Sequence, residues 1–187
     1  MPVFRFRDGW QSLGKNSETF DEVVRLFEQD QALLLFPEGN HSLLRRLRPL
    51  SRGFTKPLAQ ALQKSPNQKI FLIPAGLNFS DHKTFRSEAS LYFGPPIDVR
   101  TFIENGVLDA NALREKLSDE MKKLVVHIEY LNSYPKVEDS LVAAGVSFID
   151  PVKTNLQISN LFTSENNLAF KNILSPHRDN DFLFRLC

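Results

Sequence analysis

The stretch "ALLLFPEG", from Ala32 to Gly39, constrains the fold more than any other part of the chain. Its five consecutive apolar side chains are too few for a buried helix and end at a proline, so the spacing predicts a central strand covered on both faces. Pro37 fixes the exit from that strand, and Gly39 permits positive φ or close approach of a ligand to the backbone. Glu38 then lies just beyond the carboxyl end of a strand, where α/β sheets form their ligand crevices. A plain Pro-Glu-Gly turn with a solvated Glu38 accounts for the same residues, since such turns are common.

Helical periods flank this strand. Phe20, Val23, Val24 and Phe27 recur at i, i+3, i+4 and i+7. They predict a helix from about Glu18 to Glu28, capped by Asn16 or Ser17, with Thr19 and Glu22 at capping-box spacing. Phe54, Leu58, Ala61 and Leu62 predict a second helix with Pro57 in its first turn. "KIFLIPAGLNF" and "ASLYFGPPI" predict two more strands, each closed by Pro or Gly. Leu113, Leu117, Met121, Leu124, Ile128 and Leu131 predict a helix from about Asn111 to Leu131, packed along the sheet. This alternation points to an α/β fold, a mostly parallel sheet flanked by helices, over residues 1–134. Residues 135–187 carry short amphipathic patches and are expected to form a helical C-terminal appendage.

The chain has 187 residues, 42% of them hydrophobic and 16 of them Phe, enough for one full core. A formal net charge of +1 gives no general attraction to nucleic acid or anionic lipid, so any anion site must be local. The single cysteine, Cys187, forms no internal disulfide, which suits a reducing compartment. No apolar run approaches the ~20 residues that span a bilayer, and residues 1–10 lack a signal-peptide core. The expectation is a cytosolic protein or one peripheral to a membrane. His41, His82, His127 and His177 are scattered without metal-ligand spacing, and neither a Gly-rich phosphate loop nor a Gly-x-Ser-x-Gly elbow is present. No cofactor is expected.

Cations gather after the turn: Arg45, Arg46, Arg48, Arg52 and Lys56 follow His41 closely. Guanidinium forks fit phosphate oxygens, so the cluster suits a phosphorylated ligand beside Glu38; a solvated basic face is the alternative. No aromatic stacking platform interleaves them, which argues against a nucleic-acid partner. In "PVFRFRDGW", Val3, Arg5 and Arg7 alternate with Phe4 and Phe6, which puts both arginines on one face of a strand. Edge-strand arginines without a ligand read the same way. His41, between Asn40 and Ser42, fits either a general base or a polar turn.

Taken together, "MPVFRFRDGW", "LLLFPEGNHS" and "IFLIPAGLNF" give the first hundred residues a close resemblance to the 1-acylglycerol-3-phosphate acyltransferase family of phospholipid synthesis. "PVFR" resembles that family's second motif, "FPEG" matches the third, and "FLIPAG" resembles the fourth, ending at Pro74. The resemblance implies that Arg5 binds phosphate, with Arg7, Glu38, Gly39, His41, Arg45 and Pro74 around the substrate. Many members continue the third motif with Thr-Arg-Ser, where this chain has Asn40, His41 and Ser42; His41, Arg45, Arg46 or Arg48 then stands in for the arginine. It also implies transfer of a fatty acyl group from acyl-CoA or acyl-carrier protein to lysophosphatidic acid, at the cytoplasmic side of a membrane surface.

The family's first motif, Asn-His-x-x-x-x-Asp, supplies a His that takes the acceptor's proton and an Asp that orients it. Five residues after the four histidines stand Arg46, Ser87, Asn132 and Phe182, so no catalytic His/Asp dyad is present in these residues. The expectation is therefore an acyltransferase-like domain lacking its N-terminal part. The alternative is a non-catalytic binder of phospholipid or lysophospholipid head groups.

Overall fold

A computed structural model describes residues 15–40, 42–129 and 134–163. Helix α1, Lys15–Glu28, starts a few residues before the predicted position, and its Val23 and Val24 are buried. A single 3-10 turn, Arg52–Phe54, leads into α2, Thr55–Lys64, where Pro57 sits in the first turn and costs no hydrogen bond. Leu58, Ala61 and Leu62 of α2 pack with Val24 of α1 and with Leu113, Leu117 and Met121 of α3, Ala110–Leu124. That cluster is the main core.

The described strands are short and pair only in antiparallel fashion. β1, Phe71–Leu72, pairs with β4, Ile97–Asp98; between them β2, Ala75–Phe79, and β3, Ala89–Phe93, form a hairpin. A second hairpin joins β5, Ile103–Glu104, to β6, Val107–Leu108. Its turn residues Asn105 and Gly106 have φ of 50° and 77°, the double positive φ for which Asn-Gly is the preferred pair.

Two expectations change. Ala32–Phe36 forms no strand and has no strand partner among the described residues, and Leu34 and Phe36 are 74% and 79% exposed rather than covered on both faces. Apolar content alone does not make a central strand: its amides and carbonyls need neighbours. The described segment closest to that role, Ile70–Ala75, instead shares a cavity with it, so no parallel pair is among the described strands.

The long helix ends at Leu124, not Leu131. The cause is two asparagine side chains that take over the helix's last backbone groups. Asn78, buried on β2, donates to the Leu124 carbonyl at 2.9 Å and accepts from the Val126 amide at 2.8 Å. Asn155 donates to the carbonyls of Lys122 and Val125 and accepts from the His127 amide. Beyond Leu124 the chain runs extended. Val126 and Ile128 keep their apolar spacing but bury it in a second cluster with Tyr134, Val137, Leu141, Phe148 and Ile158. Leu131 lies outside the described residues.

Two further helices follow, α4, Tyr134–Ala143, and α5, Pro151–Thr163, which carries Asn155. Both helices pack through the second cluster. Asn78→Ala strands a buried carbonyl and amide, an expected loss of about 2 kcal/mol. The midpoint of urea unfolding reads it directly.

Candidate functional site

The turn at the end of the 32–36 segment is built as its residue types dictate. Gly39 has φ +67° with open space where a Cβ would stand, so glycine serves the backbone conformation and not a tight packing contact. Its amide donates to the Phe36 carbonyl at 3.1 Å. The turn is then clasped to the following loop at two points. Ser51 N–H donates to the Pro37 carbonyl at 2.8 Å, and Arg48 N–H donates to Glu38 Oε2, also at 2.8 Å. Glu38 thus closes the loop with one oxygen; it is not a freely solvated turn carboxylate.

Pro37 and Pro74, the prolines of the two blocks singled out in the sequence, line one apolar cavity of about 350 Å³. One wall is Leu33, Leu34 and Leu35; the other is Ile70 to Ala75; Phe54, Leu58, Leu117 and Met121 lie among its lining residues. The Gly94 amide donates to the Pro74 carbonyl at 2.9 Å and fixes that wall. Glu38 and Gly39 are not among the lining residues, so the polar turn and the apolar cavity adjoin only through Pro37.

Arg45 is corrected. Its side chain, 8% exposed, donates to the Phe79 carbonyl at 2.6 Å, the Ser80 carbonyl at 2.8 Å and Glu138 Oε1 at 3.2 Å, and lies 3.9 Å over the Phe148 ring. Its own amide donates to Tyr134 Oη at 2.6 Å. Burial lowers the Arg45 pKa, opposed by Glu138, and pushes the Tyr134 phenol up to about 12. Such a guanidinium is committed to the protein's own carbonyls, a carboxylate and an aromatic ring; it pins the β2–β3 hairpin to α4. Arg5, Arg7 and His41 lie outside the described residues.

His127 was set aside in the sequence as one of four scattered histidines, yet it is bonded to the loop that follows the Glu38 turn. Its Nδ1 accepts from the Leu47 amide at 2.9 Å, so the ring is neutral and carries its proton on Nε2. Burial lowers its pKa, helped by Lys122 and Arg46 and opposed by Glu129. A histidine depressed in the folded state contributes stability fully above its unfolded pKa, near 6.5, and loses it as pH falls through the folded value. Urea midpoints measured at neutral pH and near pH 5 are expected to drop for the wild type and to drop less for His127→Gln.

The comparisons with known proteins agree in kind. The chain is 27% identical over 157 residues, 83% of its length, to glycerol-3-phosphate O-acyltransferase 2 of Saccharomyces cerevisiae. It is 32% identical over 82 residues to an uncharacterized acyltransferase of Schizosaccharomyces pombe. It is 31% identical over 78 residues to glycerol-3-phosphate O-acyltransferase 1 of Saccharomyces cerevisiae. These matches cover 44% and 40% of the chain. The chain spans only 21%, 12% and 10% of those relatives' lengths. No family model and no solved structure matches it. All three relatives are acyltransferases by name, two of them glycerol-3-phosphate O-acyltransferases.

Proposed function

We propose that this chain is the acceptor-holding part of a glycerol-phosphate acyltransferase of phospholipid synthesis. A fatty acyl group passes from the thioester of acyl-CoA or acyl-carrier protein to a hydroxyl of glycerol-3-phosphate or 1-acylglycerol-3-phosphate. Carrying this reading is the convergence of the Pro37 and Pro74 blocks on one apolar cavity, in a chain similar to glycerol-3-phosphate acyltransferases. The cavity suits an acyl chain, since burying each methylene is worth about 0.8 kcal/mol. Glu38 bonds the acceptor's hydroxyls and Gly39 gives backbone access, with Arg5 supplying phosphate charge.

In the transfer, the acceptor oxygen attacks the thioester carbonyl, its proton goes to a base, and the thiolate leaves. By the family resemblance that base is a His with an Asp five positions on, a spacing that these residues lack. On the same reading the protein works at a membrane's cytoplasmic face, a role that exposed Leu34, Phe36, Phe71 and Ile73 suit.

The test is titration of the chain with palmitoyl-CoA. Saturable binding is expected, weakened about tenfold or more by Leu33→Trp, which fills the cavity from a half-buried wall position. No acylated product should form with this chain alone. Equal affinity in Leu33→Trp overturns the cavity assignment; product formation overturns the need for an outside base.

A further inference from the structure

A second cavity, of about 480 Å³, lies between the 46–50 loop, the polar side of α3 and the 127–129 segment. Hydrogen-bond donors from three separate parts of the chain meet on it: the cations Arg46 and Arg48, then Arg114 and Lys122, and the neutral imidazole of His127. Arg114, Ser118 and Lys122 stand four residues apart, on the polar side of the helix whose Leu117 and Met121 face the apolar cavity. The helix therefore separates an apolar cavity from a charged one.

The cation side is organised before any ligand arrives. Arg114 donates to the Leu50 carbonyl and to Asn111 Oδ1, both at 3.2 Å, which fixes its guanidinium. His127 accepts the Leu47 amide on Nδ1, so Nε2 is a donor. Arg46 Nε is buried with no hydrogen-bond partner, a cost that folded chains rarely leave unmet without a reason. Glu115, Asp119 and Glu129 also line the cavity, and Asp119 lies 3.7 Å from Lys122 Nζ. Four arginine and lysine cations facing three carboxylates favour neither a bare polyanion nor a cation. They fit a ligand that offers phosphate oxygens to the cations and hydroxyl protons to the carboxylates.

We propose that Arg46, Arg114, Lys122 and His127 form a binding site for a phosphate monoester on a hydroxylated carbon skeleton. Two sources share that chemistry: the glycerol-phosphate acceptor, and the ribose phosphate at the far end of CoA. Naming these sources rests on the acyltransferase reading; the site does not, because it takes any small phosphate ester.

The experiment titrates the chain with glycerol-3-phosphate, CoA and dephospho-CoA at low salt. Each is repeated with Lys122→Gln and with Arg46→Gln plus Lys122→Gln, whose urea midpoints are checked beside the wild type. The wild type is expected to bind at least one phosphate monoester, at least about tenfold more weakly in the double variant, with affinity falling as salt rises. CoA bound about tenfold more tightly than dephospho-CoA assigns the site to the donor's ribose phosphate. Glycerol-3-phosphate bound and lost in the variants assigns it to the acceptor and moves that head group from the Glu38 turn to this cavity. Lys122, 41% exposed, is expected to be replaceable without loss of fold, so the single variant stays informative if the double one unfolds. No binding by the wild type, or affinities unchanged in folded variants, overturns the proposal. Palmitoyl-CoA binding that survives in the Lys122→Gln variant while CoA binding is lost separates failure of this site from failure of the acyl cavity.

Discussion

Replacing Gly76 with alanine is expected to cost at least about 3 kcal/mol, enough to unfold most of a marginal chain at physiological temperature. A Cβ at this position would stand 2.2 Å from the Leu124 carbonyl oxygen and 2.6 Å from its carbon. Neither partner can yield cheaply. The Leu124 carbonyl is held by Asn78 two residues further along β2, and β2 is paired along its whole length with β3. Any shift that relieves the clash breaks the bonds that end α3. Gly94→Ala is the matched control, because the tightest contact of its Cβ would be the Leu124 Cδ1 methyl at 3.2 Å, the tip of a flexible side chain, with Pro74 at an ordinary 3.5 Å. Thermal melts should show a large drop for Gly76→Ala and a small one for Gly94→Ala. Equal, small drops would mean that β2 and α3 are not in close contact.

Arg45→Ala should be nearly as costly, about 3–5 kcal/mol and a fall in Tm of about 10 °C. Truncation leaves Glu138 without its cation and the carbonyls of Phe79 and Ser80 without donors, and removes the guanidinium from the Phe148 ring. Arg45→Lys rescues little, since one ammonium cannot reach two carbonyls and a carboxylate while stacking flat on a ring. By contrast, Arg52→Ala, on an exposed residue, should leave the melt within about 0.5 kcal/mol of wild type. This contrast divides the basic run into structural and surface members. A phosphate-binding role for Arg45 would instead predict an unchanged melt and lost ligand affinity.

What the residues reveal alone follows from how local each signal is. α1 and α2 were legible because their apolar stripes repeat over several turns and each buries its own face. The hairpin at Asn105-Gly106 was not anticipated, because its flanking strands are only two residues each and carry no period to announce them. α3 was overextended because Ile128 continues the helical spacing, while the asparagines that stop the helix come from positions 78 and 155. Such long-range caps leave no mark near the helix they end. The fate of Ala32–Phe36 depends on neighbours that local composition does not specify.

The site shows the same division. Gly39's positive φ and the exit at Pro37 are local and were readable; Glu38's bond to the Arg48 amide closes a ten-residue loop and was not. A run of arginines does not show which way each side chain turns. Arg45 faces the hairpin and α4, whereas Arg46 and Arg48 line the charged cavity. Arg114, Ser118 and Lys122 did carry a signal, their four-residue spacing on the polar side of an amphipathic helix.

The central claim is that the Glu38 turn holds a glycerol-phosphate head group. Its most direct test is the affinity of 1-acylglycerol-3-phosphate for the wild type and for Glu38→Gln, which keeps an oxygen for the Arg48 amide but lacks the charge. Saturable binding by the wild type, at least about tenfold weaker in Glu38→Gln with an unchanged urea midpoint, is the predicted result. Equal affinity in both proteins, or no binding by either, would contradict the account.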